Sequence, residues 1–254
     1  MFDAVVLAGG ALKEPLSECG DEKNKAFIEV EGKSLLAYIL EALEQSSAVE
    51  RIIVVGPPEE LENYKQSGFN ITVVPETASM LENLEAAFRE GSEDKLYLVA
   101  TADIPLVRAE DIDTLVKMCE PHDQDLYYPV VEREKCLEKY PEVERTYVRL
   151  KDGYMTGGNI CLMRSGWFLK NLQSLELFVS YRKKPLKLLR ILPPSLILKY
   201  FCKRLSVKDL ERYLAKLFNL NARALLCSVA EIAVDVDKKS DLALVKKHLA
   251  EKKD

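Results

Sequence analysis

Histidine is nearly missing from this chain: among 254 residues only His122 and His248 carry an imidazole, both in charged surroundings. That supply is too thin for a histidine-based triad or a zinc hydrolase. The six cysteines (Cys19, Cys119, Cys136, Cys161, Cys202, Cys227) are scattered, with no Cys-x-x-Cys pair. A disulfide framework is therefore not expected, and a reducing cytoplasm fits best. There is no run of 18 apolar residues to span a bilayer. The opening apolar run is short and stops at glycines, unlike a signal peptide. Net charge is −5, which gives no general attraction to nucleic acid. Gly-x-Gly-x-x-Gly spacing, internal repeats and low-complexity tracts are also lacking.

What is present is an ordinary globular balance, 48% hydrophobic and 30% charged residues, in a length that suits one sizeable α/β domain over residues 1–254. Strand-like and helix-like segments alternate over the first two-thirds. Phe2–Leu7 reads as a buried strand, and Ser34–Gln45 carries a helical stripe of Leu35, Leu36, Ile39, Leu40 and Leu43. Strands are expected at Arg51–Val55, Ile71–Val74 and Leu96–Ala100, and helices at Ser79–Glu90 and Asp111–Cys119. Ser79 with Glu82 three residues on forms a capping-box pattern, closed by Gly91. Such alternation predicts a mostly parallel sheet covered on both faces, with ligands at the carboxyl ends of the strands.

The order then changes. Leu126–Val131, Tyr147–Leu150 and Asn159–Met163 read as strands of a mixed region, with a turn at Asp152-Gly153. From Tyr181 to Leu205 the chain is basic, with Arg182, Lys183, Lys184, Lys187, Arg190, Lys199, Lys203 and Arg204 and no acid. Leucines, isoleucines, Tyr200 and Phe201 are interleaved, and Pro193-Pro194 splits the segment into two short helices. A helical insertion is expected over about 178–226, then a last strand at Glu231–Asp237 and a closing helix at Ser240–Leu249.

Three features fall at strand ends. Val5-Val6-Leu7-Ala8-Gly9-Gly10 runs from an apolar strand into paired glycines and a polar loop reaching Lys25. Residues without a Cβ let backbone N–H groups approach a triphosphate, and a lysine supplies a mobile positive charge. Asp103 stands where Leu96–Ala100 leaves the sheet, and Asp235-Val236-Asp237 closes the last expected strand. Two such carboxylates facing a phosphate loop make a hard-oxygen Mg²⁺ site. Each feature also has a plain reading: a strand-to-helix turn for the glycines, a solvated surface lysine, and an aspartate capping the next helix.

Leu7-Ala8-Gly9-Gly10, Lys25-Ala26-Phe27-Ile28 leading to Gly32-Lys33-Ser34-Leu35-Leu36, Asp103-Ile104-Pro105-Leu106 and Asp237-x-x-x-Asp241-Leu242 together resemble the MobA-like nucleotidyltransferases. The resemblance covers residues 1–165 and 229–250. It implies a Rossmann-like GT-A-type fold, a three-layer α/β/α sandwich with a mixed, mostly parallel sheet and a small helical insertion. It also implies transfer of a nucleoside monophosphate from an NTP, CTP or GTP first, to a phosphorylated small-molecule acceptor, with Mg²⁺ and release of pyrophosphate. Carried over by position, Leu7, Ala8, Gly9 and Gly10 meet the nucleotide and Lys25 the phosphates, while Asp103 and Asp237 hold the metal, with Asp235 as the alternate. Ser79 corresponds to a base or ribose contact, and Gly158-Asn159 to the acceptor pocket. The arginine that the family places soon after the glycines is missing here, and Lys13 or Lys23 is its expected replacement. A glycosyltransferase reading Asp235-Val236-Asp237 as Asp-x-Asp, and a nucleotide-binding protein without turnover, are the rival readings. The basic-apolar stretch 182–204 fits a solvated face, a dimer contact or contact with an anionic membrane surface.

Overall fold

The first strand, β1 (Phe2–Leu7), is apolar on both faces apart from Asp3, which pairs with Lys95, and in the computed structural model, which describes residues 1–9, 24–91, 94–182 and 193–251, it lies inside the sheet. It pairs in parallel with β4 (Val49–Gly56) on one side and β6 (Leu96–Thr101) on the other, and β5 (Ile71–Pro75) continues beyond β4. Successive β1 side chains enter different cores: Ala4 and Val6 pack in one, Val5 in the other. This alternation is the period of two of a strand covered on both faces. Helix α1 (Leu35–Gln45) packs its leucine stripe in the first core with α4 (Ala109–Met118). Helix α3 (Met80–Glu90) packs Leu81, Leu84 and Phe88 in the second. A short hairpin, β2 (Glu29–Val30) with β3 (Lys33–Ser34), turns through Glu31 and Gly32, both with positive φ, and delivers Ser34 as the cap of α1.

Beyond β6 the sheet continues with β10 (Ile160–Arg164), β7 (Leu126–Glu132), β9 (Gly153–Gly157) and β8 (Val148–Leu150), while β11 (Ala222–Cys227) joins the free edge of β7. Among the described strands of this sheet, only β9 and β10 run against the common direction, so the sheet is mixed and mostly parallel. Strands β9 and β10 share one edge of β7 and are separated by a break at Gly158-Asn159, which is why the expected strand at Asn159–Met163 starts one residue late. At the break, Gly158 N–H donates to Pro129 O, Asn159 N–H to Ile232 O, and Thr101 N–H to Asn159 O.

Two expectations are corrected. Glu231–Asp237 is not a strand: Ala230–Ala233 forms a 3-10 turn and the chain then crosses the strand ends. Every residue from Val229 to Val236 is buried, and an apolar run alone cannot separate a strand from another buried segment. Its backbone bonds instead to the ends of other strands, Ile232 O accepting from Asn159 N–H and Val236 N–H donating to Asp103 O. The insertion over about 178–226 is also not helical throughout. It holds α7 (Pro194–Phe201) and α8 (Val207–Phe218), but its final residues are β11, paired in register with β7. Residues 183–192 lie outside the described part. Three helices had no sequence expectation: α2 (Pro58–Gln66), α5 (Arg133–Lys139) and α6 (Ser165–Arg182). The closing helix, α9 (Lys239–Ala250), packs Leu244, Val245 and Leu249 into the first core.

Candidate functional site

The site is built by three chain segments crossing the carboxyl ends of β1 and β6. Asn24 docks the first: its Nδ2 donates to Ala8 O at 2.7 Å and its Oδ1 accepts from Ala26 N–H at 2.9 Å. This caps the 3-10 turn Lys25–Phe27 and fixes where Lys25 leaves the backbone. Ala102 N–H donates to Leu7 O, which ties the turn carrying Asp103 to the end of β1. The third segment is held by the Val236–Asp103 backbone bond and by Asp241, whose Oδ2 accepts from Asp237 N–H at 3.0 Å and Lys238 N–H at 3.1 Å.

Lys25 Nζ lies 2.5 Å from Asp103 Oδ2 and 2.6 Å from Asp237 Oδ1. Burial alone would lower the ammonium pKa, but Asp103, followed by Asp237, outweighs it and raises the pKa above 10.5. Asp103, Asp235 and Asp237 each bring one carboxylate oxygen within 4.8 Å of the others. The Asp103 side chain is 14% exposed and that of Asp237 66%, so the cluster runs from the protein interior to solvent. Thr101 Oγ1 donates to Asp103 Oδ1. Asp235 is buried and paired with the Arg145 guanidinium through Nη1, and Asn159 Nδ2 donates to Asp235 at 3.4 Å and to Ile232 O at 3.2 Å. Three acceptor-only oxygens this close repel unless cations lie among them, and Lys25 and Arg145 answer that charge. The donor set is hard, oxygen-only and part-exposed, which suits a small divalent cation.

The structure thus brings together Lys25, Asp103, Asp235, Asp237 and Asn159. Gly10, Lys13 and Lys23 lie outside the described residues. The carbonyls of Leu7 and Ala8 are engaged within the fold, as above. At Gly9 a Cβ would stand 2.5 Å from Glu76 Oε2, the mobile end of a side chain, and 3.1 Å from Asn83 Nδ2, so Gly9 packs closely against the segment that follows β5 and the start of α3. In that segment Ser79 Oγ caps α3 by accepting from Glu82 N–H at 3.2 Å, while the Glu82 carboxylate reaches Ala78 N–H. At Gly158 a Cβ would meet Pro129 Cγ at 3.0 Å and Ile232 Cδ1 at 3.1 Å, so its close approach is to the fold's own side chains. Sequence reasoning missed Asn24, Thr101 and Arg145. An Asx pattern two residues before Ala26 was a signal for Asn24, whereas Arg145 meets Asp235 only through the tertiary fold.

Comparison with known proteins places the chain in a family. The model of the MobA-like NTP transferase domain matches residues 4–215, a span that contains Gly9, Lys25, Asp103, Arg145 and Asn159. A probable molybdenum cofactor guanylyltransferase of Pyrococcus furiosus is 32% identical over 120 residues, 47% of this chain and 56% of that protein. A 2-C-methyl-D-erythritol 4-phosphate cytidylyltransferase of Halalkalibacterium halodurans is 30% identical over 134 residues, 48% of this chain and 59% of that protein. The chain therefore spans little more than half the length of these curated relatives. A hypothetical transferase from Thermus thermophilus superposes with a TM-score of 0.83 at 33% identity, covering 95% of this chain and 99% of that one. A CMP:2-keto-3-deoxy-manno-octonic acid synthetase complexed with CTP shares the fold, with a TM-score of 0.62 at 16% identity and coverage of 99% and 100%. A match over most of the sequence, on a sheet that carries the expected strand-end residues, shows that the chain belongs to the MobA-like NTP transferase domain family.

Proposed function

We propose that the protein is a Mg²⁺-dependent nucleotidyltransferase that moves a nucleoside monophosphate from CTP or GTP to a phosphorylated small molecule. The observation that carries this reading is Lys25 set between Asp103 and Asp237, at the strand ends beside Gly9. An oxygen of the acceptor phosphate attacks the α-phosphorus in line, the α–β phosphoanhydride bond breaks, and pyrophosphate leaves. Asp103 and Asp237, with Asp235 as the alternate, would hold Mg²⁺, which when bound neutralises charge on the phosphate oxygens. Lys25 brings a compact charge on a flexible stem, within reach of both carboxylates and of phosphates arriving at Gly9. Asn24, Thr101 and Asp241 keep these groups in place, so positioning is provided before substrate arrives. The Pro75–Ser79 segment lies beside Gly9 through Glu76 and supports Ser79 as a nucleotide contact. Asn159, at the break between β9 and β10, donates to Asp235 of the cluster, which supports it as an acceptor contact.

The test is pyrophosphate release with each common NTP against a panel of phosphorylated acceptors. Mg²⁺-dependent release that disappears in a folded Asp103→Ala variant is expected. Unchanged release in that variant overturns the reading.

The proposal extends to an anionic membrane surface as a place of action. Leu198 and Phe201 are 65% and 71% exposed on α7, and Tyr200 is also exposed, next to the exposed Lys203 and Arg204. Aromatic and basic groups side by side suit a headgroup layer. No helix among the described residues is long and apolar enough to cross a membrane. Co-sedimentation with liposomes that rises with anionic lipid content supports the contact, and insensitivity to that content counts against it.

A further inference from the structure

The segment from Val229 to Val236 runs across strand ends rather than along a strand, so single polar ties fix its path. Ile232 O accepts from Asn159 N–H at 2.7 Å and from Asn159 Nδ2 at 3.2 Å. Val236 N–H donates to Asp103 O at 3.0 Å, and Asp235 pairs with Arg145. The remaining tie is Glu231, a carboxylate on a residue only 2% exposed. Its Oε1 accepts from the Tyr140 hydroxyl at 2.9 Å and pairs with the Lys139 ammonium, while its Oε2 is buried without a partner.

Lys139 and Tyr140 stand where α5 ends, and the loop that follows meets the same stretch of chain through its side chains. Arg145 grips Asp235, Glu144 grips Lys238 and Glu142 grips Lys247. Basic and acidic groups of the loop stand opposite acidic and basic ones, so one register satisfies them together. Glu231 is the buried end of this row, whereas the side chains of Glu142, Glu144 and Lys247 are more than half exposed. Exposed pairs contribute little and are screened by salt. A buried ion pair adds little net stability over an apolar pair of the same shape, but it tolerates one geometry, because a misplaced partner leaves a charge unmatched.

We propose that Glu231 is a positioning residue. Held by Lys139 and Tyr140, it fixes the crossing segment so that Asp235 and the Ile232 carbonyl, and through that carbonyl Asn159, keep their places at the strand ends. The placement holds whatever chemistry the site performs, and its consequence for Mg²⁺-dependent transfer rests on the nucleotidyltransferase reading.

Amide hydrogen exchange, read residue by residue by NMR on the full chain, tests the placement without any ligand. In Glu231→Ala, Asn159 N–H and Val236 N–H are expected to exchange about tenfold or more faster than in wild type, while the amides of β1 change by less than about twofold. Glu231→Gln should recover most of this protection, since its carbonyl still accepts from Tyr140 and Lys139 and its NH₂ replaces an oxygen without a partner. The Lys139 side chain is 56% exposed, so Lys139→Met keeps the test open should Glu231→Ala not fold, and it should speed the same two amides about threefold or more. Equal acceleration throughout the sheet, or unchanged exchange at Asn159 and Val236, overturns the proposal. In a pyrophosphate-release assay, the Mg²⁺ concentration for half-maximal release should rise about tenfold in Glu231→Ala and return toward wild type in Glu231→Gln. An unchanged Mg²⁺ requirement overturns the proposal too, because the segment then places nothing that the site uses. Selective exchange in a protein that turns over no NTP supports the placement and removes the nucleotidyltransferase reading instead.

Discussion

Lys25 Nζ stands 2.6 Å from Asp237 Oδ1, although 212 residues separate the two along the chain. The contact closes the site across the sheet, since Lys25 follows the first strand and Asp237 precedes the closing helix. It also makes the lysine an internal counter-ion for carboxylates that would otherwise face one another.

Removing that counter-ion has a defined cost. Lys25→Gln is expected to lower stability by about 1–3 kcal/mol at neutral pH without divalent cations, because its partner charges lose their match. The folded-state pKa of Lys25 is raised above 10.5, so its stabilisation is complete below the ordinary lysine value and disappears as pH rises past it. The difference between wild type and variant in urea unfolding should therefore be full at about pH 7 and shrink only above about pH 10.5.

The two aspartates of the Asp-x-Asp triplet should separate in their effects. Asp235 is buried against Arg145, so Asp235→Ala leaves an uncompensated guanidinium and should cost about 3 kcal/mol or more. Asp237 is exposed, so Asp237→Ala should cost less than about 1 kcal/mol while removing one of the carboxylates proposed to hold Mg²⁺. Chemical denaturation beside a pyrophosphate-release assay measures both. Equal stability losses would contradict the assignment.

Asp241→Ala tests whether the clamp on the Asp237 backbone matters. Loss of the two bonds to Asp237 N–H and Lys238 N–H is expected to cost about 0.5–2 kcal/mol, as for other helix caps. Divalent-ion affinity should fall with it, read by a smaller Mg²⁺-induced rise in the unfolding midpoint.

Away from the site, buried Glu231 predicts an acid-sensitive contact. Burial would raise its pKa, but Lys139, the Glu231 backbone and the Tyr140 hydroxyl together hold it below 4.5. A depressed carboxylate stabilises the fold above its unfolded value and loses that contribution as pH falls through its folded value. Midpoints measured through the acid range should fall more steeply below about pH 4.5 in wild type than in Glu231→Gln.

How far the sequence could be read follows from what each residue answers to. The apolar stretch Phe2–Leu7 and the glycine after it are local patterns, and they marked the central strand and its mouth. Ser79 announced a helix start because a cap bonds within three residues of itself. The run Val229–Val236 misled, since continuous burial has no period and hides whether the chain pairs along a strand or crosses strand ends. Strand β11 was missed because its neighbour β7 lies nearly a hundred residues earlier. Arg145 was silent for the same reason: its meaning comes from Asp235, which only the fold brings near.

The most direct measurement is Mn²⁺ binding, as a spectroscopic stand-in for Mg²⁺, followed by electron paramagnetic resonance with saturating NTP. One tightly bound ion per chain is predicted, lost in the Asp103→Asn/Asp237→Asn double variant with the fold intact. The same stoichiometry and affinity in wild type and double variant would contradict a cation shared by these two aspartates.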